Sequence, residues 1–117
     1  MKRDDDLIRE LLFKYEADED WLILEEGDIV GASAEERIEG YHQQLMCDLG
    51  LLTYVNEGAY RLTAFGHDYL DAVRSDTIWK QTKEGARQVG GMAFGMMFDL
   101  AKEYVKQEVA TRIGVQL

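Results

Sequence analysis

A chain of 117 residues, 46% of them hydrophobic, has room for one packed core and too much apolar content to stay disordered. Its 23 acids against 13 bases give a net charge of −10. That balance counts against nucleic acid and anionic membrane as partners, because affinity for a polyanion comes mainly from counterions that Lys and Arg displace.

The acid is uneven, since residues 1–40 hold fourteen carboxylates and five bases. The longest charge-free run, Gln88 to Phe98, is about half of the roughly 20 residues that span a bilayer. The opening MKRDDDL lacks the apolar segment of a secretory signal. One cysteine excludes an internal disulfide and fits a reducing compartment. A cytoplasmic protein without a membrane span is expected.

Asp4 to Asp6 suit the start of a helix running to about Glu16, because carboxylates meet the exposed amides of a helix N-terminus. Leu7, Ile8, Leu11, Leu12 and Tyr15 fall on one side of it. Glu16 to Asp20 reads as an acidic connection, and Trp21 to Leu24 as a short strand. Glu25 to Asp28 forms a turn, and Ile29 to Ala32 leads to Ser33. A helix-turn-helix motif places a second short helix here. This sequence leaves room only for a strand or irregular link, so the motif is abbreviated.

Ser33 with Glu36 fits a capping box. Ile38, Tyr41, His42, Leu45 and Leu49 then share one helical face, and Gly50 suits a left-handed stop. Leu51 to Val55 and Ala59 to Leu62 read as strands around the turn Asn56-Glu57-Gly58. Thr63 caps a helix whose apolar face holds Phe65, Tyr69, Leu70 and Val73. Ser75 caps another, with Ile78, Trp79, Thr82, Ala86 and Val89 along one side. Gly90-Gly91 breaks the pattern before a last helix from about Met92 to Ile113, striped by Phe94, Met97, Phe98, Ala101, Tyr104, Val105 and Val109.

The expected fold is mainly α with a small antiparallel β-wing, an α+β arrangement. A winged helix-turn-helix-like core would occupy residues 1–75 of a single domain, and a C-terminal helical extension residues 76–117. Trp79 and Tyr69 are expected to anchor the core or the junction of the C-terminal helices.

The start MKRDDDLIRELL resembles the MKRDMDLIR opening of a family of small uncharacterised bacterial and phage proteins, domain of unknown function 2513. GYHQQLMCDLGLL, RLTAFGHDYLDAVRSDTIWK and the Gly90-Gly91 break also match its habits, so the resemblance runs from Met1 to about Tyr104. It departs at Asp5, where the family usually has an apolar residue, and in the acidic stretch Asp18 to Asp28. The resemblance implies a winged-helix fold and an origin in phage or prophage genomes, and it transfers no catalytic residue.

For DNA, the helix after Ser33 would enter the major groove with Glu36, Gly40, Gln43, Gln44 and Cys47 outward. Glu35, Glu36, Glu39 and Asp48 surround them, and Arg37 is the only base, so phosphate contact is disfavoured. The same face, small and neutral at Gly40 and Cys47, suits an adaptor surface for a protein. The Met- and Phe-rich start of the last helix, with Met92, Met96 and Phe98, suits a homodimer seam or a partner site. A further alternative is an acidic decoy that occupies the nucleic-acid groove of a host protein.

Enzymatic readings fail on inventory. Two histidines and one cysteine do not make up a metal set, and no phosphate-binding loop or nucleophile elbow occurs. No catalytic, metal or cofactor site is expected. The function read from sequence is therefore a regulator or adaptor working by protein contact, with a DNA-binding regulator as the alternative.

Overall fold

A computed structural model describes residues 1–114. They form two compact units, Met1–Leu70 and a second that begins at Asp71. Among the described residues there are five helices and a three-stranded antiparallel sheet, an α+β arrangement.

In the first unit, α1 (Asp5–Ala17) begins where Asp4 accepts the Leu7 amide on its side chain. It buries Ile8, Leu11, Leu12 and Tyr15. β1 (Ile23–Leu24) pairs with β3, setting Ile23 opposite Tyr60. An irregular link then leads to α2 (Ala34–Asp48), with no second helix between. The capping box at Ser33 and Glu36 closes in both directions. β2 (Leu52–Asn56) and β3 (Ala59–Leu62) form the hairpin around Glu57-Gly58, giving the sheet order β1-β3-β2. Thr63 accepts the Gly66 amide and starts α3 (Ala64–Val73), which crosses into the second unit.

The buried face of α2 differs from the one that apolar spacing predicts. Ile38 and Tyr41 are exposed and Leu45 is half-buried, while His42, Gln43 and Met46 are buried. The buried face is therefore turned by about one residue, roughly 100° on a helix. Two interactions explain the turn. His42 accepts the Asp4 amide on Nε2 at 2.9 Å and lies 2.9 Å from the Ile38 carbonyl through Nδ1, so the ring joins the start of α1 to α2. Gln43 satisfies backbone groups of the link, as described below. Polar side chains that meet backbone partners can be buried where isolated ones cannot.

The core of this unit is Ile8, Leu12, Met46, Leu51, Leu52, Tyr60, Tyr69 and Leu70, all 2% exposed or less. Each such side chain contributes about 1.5–3 kcal/mol relative to exposure.

The phenols of Tyr15, Tyr60 and Tyr69 are held above the ordinary value of 10.0, in each case mainly because burial disfavours the phenolate. Glu39 adds to the effect at Tyr15, and Tyr54 at Tyr60. A group whose pKa is raised by folding contributes stability that is complete below its unfolded value and lost as pH rises beyond it. The protein is thus expected to unfold cooperatively in alkali above pH 10.0. Circular dichroism and tyrosinate absorbance should change together; full tyrosinate formation with native dichroism would contradict this.

In the second unit, Ser75 accepts the Ile78 amide and starts α4 (Asp76–Gln88). This helix buries Ile78, Trp79, Thr82 and Ala86. Val89, expected on that face, is 68% exposed beyond the helix end. α5 (Phe94–Ile113) buries Phe94, Met97 and Ala101 and packs on α4 at Gly85. A Cβ at Gly85 would sit 2.7 Å from Leu100 Cδ2.

Candidate functional site

The residues that sequence reasoning singled out on α2 do not form one outward face. Gly40 and Gln43 are buried, which corrects their assignment to a contact surface. Gly40 is a groove in the helix through which the link passes. A Cβ there would lie 2.1 Å from the Glu26 carbonyl oxygen, and one on Gly27 would lie 2.6 Å from the Glu36 carbonyl. Gly27 also has φ 77°, a conformation that favours glycine.

Gln43 ties three segments together. Its Nε2 donates to the Tyr15 hydroxyl at 3.1 Å and to the Leu24 carbonyl at 3.0 Å, and its Oε1 accepts the Glu26 amide at 2.9 Å. Tyr15 donates in turn to Glu39 at 2.7 Å, and Lys14 reaches both Glu39 oxygens at 3.0 and 3.1 Å. Beside this network lies a cleft of about 410 Å³ lined by Tyr15, Asp18, Asp20, Glu26 and Glu39, with Lys14 as its only base.

Glu36 is half-buried and engaged in the capping box, so it is a structural residue. Cys47 is half-buried, and burial together with Asp48 and Glu25 pushes its thiol up. Less thiolate at a given pH means slower alkylation. Cys47 is expected to react with iodoacetamide more slowly than a free cysteine peptide at neutral pH, the gap closing in alkali. Equal rates near neutrality, followed by mass spectrometry, would contradict this.

Gln44 does face outward, but its amide is engaged. Nε2 donates to the Tyr60 hydroxyl at 2.9 Å and to the Tyr54 hydroxyl at 3.3 Å. The two tyrosine rings lie 4.6 Å apart, centre to centre. A glutamine reading adenine needs both ends of its amide, and here the donor end is held by tyrosine.

The solvent side of α2 carries Arg37, Ile38, Tyr41 and Gln44. Arg37, Gly40, Tyr41 and Gln44 line a cleft of about 170 Å³ whose other wall is Glu25, Glu26 and Asp28. Spacing along the chain missed this wall, because it forms only when the link folds back over Gly40. The signal that could have found it is the string EEGDIVG, acids and two apolar residues between glycines. Arg61 and His67 lie elsewhere, lining a cleft with Glu16, Asp18, Glu19 and Trp21.

In the second unit, Met96 is 59% exposed, while Met92 and Phe98 are half-buried. Lys102 Nζ sits 4.4 Å from the centre of the Phe98 ring, which suits a cation–π contact.

Among the described residues, no three His, Cys, Asp or Glu side chains are grouped to hold a metal ion. No helix among them is long and apolar enough to cross a membrane.

A family model described as "Hypothetical protein (DUF2513)" matches residues 2–93. The chain belongs to this family. The match begins at Lys2 in the first unit and runs past the end of α4 and the glycine pair. An uncharacterised protein of Haemophilus influenzae is 29% identical over 127 residues, covering 100% of this chain and 99% of that relative. No solved structure matches the chain.

Proposed function

We propose that this protein is a non-enzymatic regulator or adaptor that works by contact with another protein through a winged-helix-like first unit. The element order α1-β1-α2-β2-β3-α3, with β1 paired to β3, supports the winged-helix reading. In such a domain α2 would be the helix presented to DNA. A phage or prophage origin belongs to the same reading.

The observation that carries it is the charge around α2. The unit Met1–Leu70 holds seventeen acids and six bases. Three of those acids, Glu25, Glu26 and Asp28, form the wall beside the exposed Tyr41 and Gln44. A phosphate backbone laid along α2 would meet these carboxylates with Arg37 as the one base in the cleft. Exposed Tyr41, Tyr54 and Val55 on the same helix and hairpin suit contact with a protein surface.

Affinity capture from bacterial lysate, with and without nuclease, tests this reading. The expected result is a specific protein retained after nuclease treatment and lost with Tyr41→Ala and Tyr54→Ala together. Capture that disappears on nuclease treatment would overturn it in favour of the DNA-binding alternative.

A further inference from the structure

We propose that the cleft between α2 and the Glu25–Asp28 link receives an arginine-bearing segment of the partner protein, with Ile29 and Val30 as the apolar anchor beside it. The inference rests on the protein-contact reading and adds the chemistry of the partner.

One wall of the cleft is three carboxylates, Glu25, Glu26 and Asp28. None of their side chains makes a hydrogen bond or ion pair among the described residues. The opposite wall carries Tyr41, 39% exposed, and Gln44, whose donor end is already engaged. A cation entering here gains from three acids and meets one competing base, Arg37.

Arginine fits better than lysine. Its planar guanidinium can bridge two carboxylates and stack on an aromatic face at once. Lysine offers a strongly hydrated point charge.

The same link presents Ile29, 72% exposed, and Val30, 106% exposed, between Gly27 and Gly31. Both glycines have positive φ, 77° and 88°, so the backbone folds Ile29 and Val30 into a protruding tip. Two adjacent aliphatic side chains left in water next to unpaired acids suit a partner that supplies an apolar pocket beside a cation.

The test is selection of binders to the full-length protein from a random peptide library, followed by anisotropy titration of the selected peptides. Arginine next to an apolar residue is expected in the selected sequences. Replacing that arginine by lysine should weaken binding. Glu25→Gln, Glu26→Gln and Asp28→Asn together should weaken it about tenfold, the scale of a few partly exposed ion pairs. Ile29→Ser with Val30→Ser should weaken it as well. A control of equal charge change, Glu10→Gln, Glu19→Gln and Asp68→Asn, should bind as the parent does. Thermal midpoints of all variants report that folding is intact, and Tyr41→Ala gives an uncharged variant of the same cleft.

Selection without arginine enrichment, no selected peptide, or equal losses in the cleft and control variants would overturn the proposal. A labelled duplex in the same titration separates the two levels. Duplex binding removes the protein-contact reading itself, whereas absence of duplex binding together with absence of arginine selection removes only the assignment of this cleft.

Discussion

Gly40→Ala is expected to destabilise the protein by about 3 kcal/mol, the upper range for overpacking a tight site. The added methyl would stand 2.1 Å from the Glu26 carbonyl oxygen and 3.0 Å from its carbon. Both are backbone atoms, so no side-chain rotation relieves the clash. The link must lift from α2, and it is held there by the Glu26 amide bonded to Gln43. A fall in melting temperature of roughly 5 °C per kcal/mol is the scale to look for in a domain this small. Gly31→Ala is the comparison, since a Cβ there meets nothing within 4 Å, although its φ of 88° still carries backbone strain. Equal losses at the two positions would show that close approach at Gly40 is unimportant.

Gln43→Leu should cost a similar amount, about 3 kcal/mol, by a different route. Leucine nearly matches the volume, so little packing is lost. The Glu26 amide and the Leu24 carbonyl would lose the partners that Gln43 supplies, and the Tyr15 hydroxyl would lose a donor. A buried group left without a partner costs about 1–3 kcal/mol. Gln44→Leu provides the contrast, because its bond to Tyr54 is exposed and the Tyr60 hydroxyl it also meets keeps Tyr54 as a partner. Denaturant unfolding of the two variants measures the difference, and near-equal midpoints would contradict the role given to Gln43.

Much of the fold was legible in the chain because local chemistry specified it. Ser33, Thr63 and Ser75 each cap the helix they precede, and the Glu57-Gly58 turn sets the hairpin. The face of α2 was not legible in the same way. Apolar spacing assigns Ile38, Tyr41 and Leu45 inward, but hydrogen bonding brings His42 and Gln43 inward instead. A side chain that is buried because backbone groups elsewhere need it leaves no mark in hydrophobic periodicity. For the same reason Gly40 read as a small patch of surface when it is a groove filled by the link. Of the residues first assigned to the α2 surface, Gln44 remains outward, with Tyr41 and the Glu25–Asp28 wall as neighbours.

This rearrangement changes the argument about charge without reversing it. Glu36 and Glu39 are drawn into caps and networks, so they no longer face a ligand. Their place is taken by Glu25, Glu26 and Asp28, brought beside α2 by the link. A helix with Arg37, Tyr41 and Gln44 outward has side chains suited to reading a groove, and the neighbouring acids are what count against it.

The most direct measurement is fluorescence anisotropy of a labelled duplex titrated with the full chain across a range of salt. Protein contact as the working mode predicts no saturation below about 100 μM at physiological salt, the weak end of non-specific binding. Saturable binding near or below about 1 μM that tightens steeply as salt falls would contradict the account.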